Sequence, residues 1–420
     1  MLKKINVDEM RLGMHLHELC GTWLDHPFWK TKFVIRDTAD LAKLQASGVK
    51  ECWIDISKGL DTVRSAVIDS APAVVVEATP VAVPVRPADA ASAPAPTSMA
   101  EELGRAASLV NQSRAAVMKL FSEARLGRAM EADQCAPLVE EIASSVWRNP
   151  GALVSLARLK THDDYTYMHS IAVCALMVSL ARQLGQDEAQ AREAGMAGLL
   201  HDMGKALMPL QVLMKPGKLT DQEFDLIKLH PQRGHDLLSS GTKVPLAALD
   251  VCLHHHERPD GKGYPFGLTS ETLSIVARMG AVCDVYDAIT SNRPYKEGWD
   301  PADSIGRMAE WTKQGQFDAA IYAAFVKSLG IYPNGALVRL QSGRLAVVVE
   351  QNESALVKPR VKVFFSTRAQ MPVTPTLIDL GQPGCSERII GRESNSEWKF
   401  PHLTELWAGR AVMEKMAMAA

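Results

Sequence analysis

The chain has 420 residues, 47% of them hydrophobic and 22% charged, with a formal net charge of −2. That length suits two or three domains, and the composition is ordinary for a globular protein. The near-neutral balance excludes a chain built to bind polymeric nucleic acid, which needs a basic footprint; a small phosphate-bearing ligand needs only a few local cations.

The seven cysteines, at 20, 52, 135, 174, 252, 283 and 385, are odd in number and form no Cys-x-x-Cys pair. They read as reduced thiols of a cytoplasmic protein, not as a disulfide framework. The opening Met1-Leu2-Lys3-Lys4 passes at once into Asn6, Asp8 and Glu9, so no apolar core of a signal peptide is expected. No run approaches the roughly 18 apolar residues of a membrane span.

In chain order, residues 1–70 predict a small α+β accessory domain. Short β-type runs at 33–35 and 52–56 flank a helix-like stretch at 39–45 that Gly48 stops. His15 and His17 alternate on an expected strand, where a structural role is the simpler reading. Residues 71–100 are nearly all Ala, Pro, Val, Ser and Thr, the composition of an extended linker. Connecting helices are expected over 101–140, and a mostly helical domain over 141–330. Within it Ile171, Cys174, Val178 and Ala181 recur at helical spacing just after His169. Ala194, Leu199 and Leu200 lead a second helix into His201, and Gly204 is expected to close it. Residues 331–420 read as a β-rich appendage and tail, with a hairpin of Leu337–Leu340 and 345–349 around Ser342-Gly343 and more strand at 361–365.

Eight of the twelve histidines lie between His162 and His256. They fall in a pattern with carboxylates: Tyr-Met-His-Ser at 167–170, His-Asp-Met-Gly-Lys at 201–205, His230-Pro231, His255-His256-Glu257, then Asp284. Imidazole and carboxylate without thiolate is a ligand set for iron, manganese or zinc in a site held open for chemistry. Asp202 has two oxygens and could bridge two cations, and a pair of cations about 3.5–4 Å apart is the usual device for phosphate-ester hydrolysis. Taken singly, His169 reads as a hydrogen-bonded core histidine, His230 as a loop histidine and Asp284 as a cap or buried acceptor. The joint pattern in one helical domain favours a metal site.

The neighbouring cations suit a phosphate substrate. Lys205 lies four residues after His201, on the same helix face. Arg293 and Lys296 frame Pro294-Tyr295, offering a bidentate guanidinium and a point charge. Tyr264, between Gly263 and Pro265, sits in a constrained loop that could wall the pocket or carry a partner contact. Glu257 and Asp260 read as residues that orient ligands and shape that loop, His254 and His235 as structural or solvent-facing, and Asp287 as a partner for Arg293.

This ordered set resembles the HD-GYP family of bacterial cyclic di-GMP phosphodiesterases. It includes Asp164-Tyr165-Thr166 before His169, His201-Asp202-Met203-Gly204-Lys205, Lys215-Pro216-Gly217-Lys218-Leu219-Thr220, His230-Pro231 with Gly234, His255-His256-Glu257-Arg258, Gly263-Tyr264-Pro265, and Asp284-Val285-Tyr286-Asp287-Ala288 before Arg293-Pro294-Tyr295-Lys296. The likeness covers about residues 141–330, and Leu12-Gly13-Met14 with His26-Pro27-Phe28 resembles the accessory domain often found ahead of it. The resemblance implies an all-helical HD-type catalytic domain; with the elements read above, the chain is expected to be multidomain and mainly α, with a small α+β N-terminal domain and a small β-rich C-terminal appendage. It implies hydrolysis of cyclic di-GMP to linear pGpG, which members of the family often carry on to GMP. It implies His169, His201, Asp202, His230, His255, His256 and Asp284 as metal ligands, with Asp202 bridging and serving catalysis together with Lys205. Lys205, Arg293, Lys296 and Tyr264 would meet the substrate. The metals implied are iron or manganese; zinc, nickel or magnesium also fit oxygen and nitrogen ligands. Where some members place a Glu for a third metal this chain has Tyr165, a neutral phenol, which points to two metals. A diguanylate cyclase domain is the protein partner expected at the Gly-Tyr-Pro loop. A scaffold that binds cyclic di-GMP without turnover, and an HD-type phosphohydrolase of another nucleotide, are the competing readings.

Overall fold

The computed structural model describes residues 2–20, 33–35, 37–45, 50–60, 95–128, 131–159, 165–215, 217–291 and 298–417. The chain forms two compact units, 1–91 and 92–420. In the first, β1 (Leu2–Asn6), β2 (His15–Cys20), β3 (Phe33–Val34), α1 (Thr38–Gln45) and β4 (Glu51–Asp55) make an antiparallel sheet of order β1-β4-β2-β3 with one helix. Its own core holds Ile5, Met10, Met14, Leu16, Ile35, Leu44 and Ile54. The α+β reading of this segment holds, and β1, too short and too charged to show a pattern, is an addition.

The second unit opens with α2 (Met99–Arg125). Ser98 caps it in a reciprocal box with Glu101, and Leu103, Ala106, Ala107, Val110, Val117, Leu120, Phe121 and Ala124 bury one face. Glu102 on that helix is fully buried. It accepts from Arg148 at 2.7 and 2.8 Å and from the Ser145 hydroxyl at 2.7 Å. Arg148 ends α3 (Ala136–Arg148), and α4 (Pro150–Ala157) follows at once, capped by Asn149. Then come α5 (Tyr165–Gln183), α6 (Glu188–Leu200), a 3-10 turn (Met203–Leu207), α7 (Leu210–Leu213), α8 (Asp221–Ile227), α9 (His230–Ser239), α10 (Leu246–His254), α11 (Ile275–Thr290), α12 (Pro301–Lys313) and α13 (Ala319–Leu329). One continuous apolar core runs through these helices.

Helix α5 begins at Tyr165, six residues before the apolar repeat opens at Ile171, so His169 lies inside it. Helix α6 stops at Leu200 instead of running on to Gly204, because His201 caps it and the chain turns into a 3-10 arrangement. The α5–α6 pair packs closely because α6 presents Gly195 and Gly198. A β-carbon on Gly198 would lie 2.8 Å from the Val173 carbonyl oxygen.

After α13 a five-stranded antiparallel sheet of order β8-β7-β6-β5-β9 forms from β5 (Leu337–Leu340), β6 (Arg344–Glu350), β7 (Arg360–Ser366), β8 (Met371–Asp379) and β9 (Ile389–Glu393). The expected β5–β6 hairpin pairs Leu337 with Val347. The tail is not β-rich to its end. It finishes in α14 (Asn395–Trp398), α15 (Leu403–Ala408) and α16 (Arg410–Ala417). Helix α16 returns to α2, where Asn111 donates to the Lys415 carbonyl at 3.0 Å and the Lys415 ammonium to that of Gly104 at 2.9 Å. No described helix is long and apolar enough to cross a membrane, and six described cysteines carry free thiols.

Replacing Glu102 with Gln leaves the Arg148 charge without its counterion. The expected loss is about 2–3 kcal/mol by urea unfolding, below the ~3–5 kcal/mol of a fully buried pair because Arg148 is partly exposed. Burial opposes the Glu102 charge, but Arg148 and Ser145 hold its carboxyl below the usual value. A depressed carboxylate stabilises fully at neutral pH and loses that contribution as pH falls through its folded value. The mutant and wild-type curves are therefore expected to converge below about pH 4.

Truncation tests the start of the second unit. A chain beginning at residue 95 keeps the Ser98 cap and the Thr97 hydroxyl bond to Glu102 and is expected to fold. One beginning at 101 is expected to be less stable by about 1 kcal/mol, the scale of one lost helix cap, in the same unfolding measurement.

Candidate metal centre

Five helix segments bring the histidines and carboxylates together. His169 is in the second turn of α5, His201 caps α6 with Asp202 next, His230 opens α9, His255 caps α10 with His256 next, and Asp284 is mid-way along α11. All are buried except His256, which is partly open. The rings are anchored on backbone carbonyls near helix ends. Nδ1 of His201 donates to the Gly198 carbonyl at 2.8 Å, that of His230 to Ile227 at 2.7 Å and that of His255 to Val251 at 2.9 Å. A carbonyl can only accept, so Nδ1 carries the proton and Nε2 faces the centre. His169 is held differently, with Nδ1 2.5 Å from Asp287 Oδ2.

Asp202 stands between two groups. Its Oδ2 is 3.4 Å from His169 Nε2 and 3.3 Å from His201 Nε2. Its Oδ1 is 3.3 Å from His230 Nε2 and 3.7 Å from His255 Nε2. Asp284 spans the same gap, with Oδ1 2.9 Å from His169 Nε2 and Oδ2 3.8 Å from His256 Nδ1. Among the described residues, His169-His201-Asp202 and His230-His255-His256 each bring their ligand atoms within 4.8 Å of one another, as a metal ion requires.

The electrostatics fit a cation. Asp202 Oδ1 is buried and has no hydrogen-bond partner. Burial, then the neighbouring imidazoles, holds His255 well below the usual histidine range, so its Nε2 presents a bare lone pair 3.3 Å from His230 Nε2. Burial likewise holds His256 down at about 3. Acceptors converging without a donor are costly in a dry interior, and a divalent ion satisfies them together. On the other side, burial opposes charging of His201, yet the Asp202 charge pushes it up to about 10. Burial also opposes ionisation of Asp202, which His201 and Lys205 hold well below the carboxylate range. A proton thus sits on His201 where a cation would, and metal binding would release it.

Lys205 reaches the centre by a different route from the one its spacing suggested. It lies in the 3-10 turn, not on the His201 helix, and its ammonium is 2.5 Å from Asp202 Oδ2. Gly204 does not close a helix either. A β-carbon there would lie 1.9 Å from the His230 carbonyl oxygen and 2.6 Å from Gly234 N, so only glycine lets this turn touch the start of α9. Asp287 meets His169, and its spacing of three residues from Asp284 on one helix was the available signal; its expected partner Arg293 lies outside the described residues. Tyr264 stacks on His256 with ring centroids 4.7 Å apart, and its backbone N–H donates to the His256 carbonyl at 3.2 Å. Glu257 is buried and accepts from Phe266 N at 2.6 Å and Leu268 N at 3.0 Å, so it shapes the loop that carries Tyr264. Asp260 pairs with Arg258, and His254 with Asp250, while His235 lies beside Asp236. Arg293, Lys296 and the Tyr165 side chain lie outside the described residues.

Comparisons with known proteins agree in kind. A family model described as an HD domain matches residues 138–321, and one described as a domain of unknown function matches residues 2–135. The chain is 54% identical over 412 residues to a cyclic di-GMP phosphodiesterase of Pseudomonas aeruginosa, covering 98% of this chain and 97% of that one. It is 50% identical over 122 residues to a cyclic di-GMP phosphodiesterase response regulator of Xanthomonas campestris, 29% of this chain and 32% of that one. A cyclic di-GMP phosphodiesterase of Thermotoga maritima is 36% identical over 166 residues, 39% of this chain and 45% of that one.

Gly204→Ala tests the close approach. The added methyl must push the turn carrying Asp202 and Lys205 away from α9. The expected outcome is a chain that folds with a helical spectrum near wild type but binds added Mn²⁺ about 10-fold or more weakly, the scale on which disturbed supports cost metal affinity. Unchanged Mn²⁺ affinity by calorimetry would show that the turn moves freely.

Proposed function

The chain belongs to the HD-GYP family of HD-domain cyclic di-GMP phosphodiesterases, and from that membership we propose that it hydrolyses cyclic di-GMP to linear pGpG, with GMP as the product of a second cleavage. Two divalent ions serve the reaction, iron or manganese in preference to zinc, nickel or magnesium. His169, His201 and Asp284 would hold one and His230, His255 and His256 the other, with Asp202 available to both. The observation that carries this reading is the division of Asp202, whose two oxygens face separate histidine groups while Oδ1 has no other partner. Such ions, when bound, lower the pKa of water toward 7 and offset charge developing on phosphoryl oxygens.

The protein's own groups do the rest. The Nδ1 anchors fix each ring so that Nε2 points at the centre before substrate arrives, which removes reorganisation from the reaction. The Lys205 ammonium offsets the Asp202 charge and stands at the partly open rim, where a phosphoryl oxygen can take it over. Arg293 and Lys296 grip the phosphates. The Tyr264 ring on His256 walls one side of the pocket. Phe266 beside it is 54% exposed, which leaves the loop tip open to a protein partner such as a diguanylate cyclase domain. Reduced thiols and the cytoplasmic origin of such a nucleotide favour the cytoplasm as the place of action.

Some relatives are named 3′3′-cGAMP-specific phosphodiesterases, one of them 30% identical over 193 residues. The 54% identity over 412 residues favours cyclic di-GMP. The complete ligand set weighs against a scaffold without turnover. The deciding experiment compares turnover of cyclic di-GMP, 3′3′-cGAMP and mononucleotides by the purified chain, before and after metal removal. Cyclic di-GMP is expected to be the preferred substrate, and activity to vanish with chelation and return with Mn²⁺ or Fe²⁺. Asp202→Ala is expected to lower metal content at both groups and turnover by about 10²–10³-fold or more, the scale of one lost electrostatic contact to the transition state. Wild-type turnover by that variant would end the two-metal reading.

A further inference from the structure

The two histidine groups are not equivalent, and the difference starts behind His169. Three rings are anchored by neutral backbone carbonyls, those of Gly198, Ile227 and Val251. His169 alone among them is anchored by a carboxylate, Asp287, whose Oδ2 lies 2.5 Å from Nδ1. Asp287 is 2% exposed, and the Ser291 hydroxyl donates to its other oxygen at 3.3 Å. A carboxylate behind a ligating imidazole locks the ring, fixes its tautomer and raises the basicity of the nitrogen that faces the metal.

The local charge points the same way. Near His169 and His201 stand Asp284 Oδ1 at 2.9 and 3.7 Å, Asp202 Oδ2, and Asp287 behind. Lys205 on Asp202 Oδ2 offsets one negative charge on that side. The His230-His255-His256 group has only its share of Asp202, with Asp284 Oδ2 3.8 Å from His256 Nδ1. In a buried site this difference outweighs small differences in geometry.

We propose, on the two-metal reading above, that Asp287 is the positioning residue that makes the His169 side the tight subsite. It loads first, and the three-histidine side fills only at higher metal concentration, opposed also by the charge of the ion already bound. The half-loaded protein is then a stable resting form. Metal supply sets the active fraction through the second, exchangeable subsite.

The test uses the full chain stripped of metal by chelator and titrated with Mn²⁺, read by calorimetry and by loss of the free-ion electron paramagnetic resonance signal. Wild type is expected to show two events with dissociation constants at least about 10-fold apart. Asp287→Ala is expected to weaken the first by about 10–100-fold, the usual cost of removing such a partner, and to leave the second nearly unchanged. Asp287→Asn keeps an acceptor oxygen for the Nδ1 proton without the charge, and is expected to fall between. Thermal melting of the metal-free variants reports folding. Should the alanine variant not fold, the asparagine variant decides. Equal affinities in wild type, a first event unchanged in the variant, or a loss confined to the second event would each overturn the proposal. Two-step Mn²⁺ binding without turnover of any cyclic dinucleotide would instead remove the assigned reaction and leave this inference standing, and no Mn²⁺ binding at all would remove both.

Discussion

A single buried carboxylate, Asp202, sits where two groups of imidazoles meet, and the arrangement of the helical unit follows from holding it there. One oxygen faces His169 and His201, the other His230 and His255. An ionised carboxylate in an apolar interior is expensive unless charge or donors compensate it. Here Lys205 and His201 compensate one oxygen, while the other is left to a cation. The cost is carried by the surrounding core, whose continuity from α2 to the C-terminal sheet keeps the helix ends in place.

Helix ends are the device that aims the rings. A histidine at or just past a C-terminus finds a carbonyl three or four residues back, spends Nδ1 on it and projects Nε2 forward. His201 and His255 both use this geometry, and His230 does the same with the carbonyl of Ile227 at the α8–α9 junction. The ends can converge only if backbones approach closely. Gly198 lets α6 reach α5, and Gly204 lets the 3-10 turn reach α9. The glycines are thus as much a part of the centre as the ligands, although none offers a side chain.

Around this centre the chain adds mechanical supports. Helix α2 packs its apolar face on the helical unit, meets α5 through the edge contact of Phe121 with Tyr167, and is gripped along its first half by α16. The buried Glu102–Arg148 pair fixes its start. The loop after α10 is clamped by one side chain, Glu257, whose two oxygens take two backbone donors and bring Tyr264 onto His256.

The residue types of the centre were legible in the chain because metal chemistry restricts them: His, His-Asp, His, His-His and Asp with no thiolate admit few other readings. The helical character of α5 and the β5–β6 hairpin were legible because apolar periodicity is a local property. What only the tertiary structure decided is how these pieces face one another. The sequence alone allowed Lys205 to be set on the His201 helix, because spacing assumes the helix continues, whereas the carbonyl demand of His201 ends it. The contact of Asp287 with His169, 118 residues away, is made across packed helices and has no local signature. The division of Asp202 between two groups, and the inequality between them, depend on angles between helices that no local pattern encodes. Ligand identity is written along the chain because it is chemistry; ligand sharing and affinity are set by packing, because they depend on distances between residues remote in sequence.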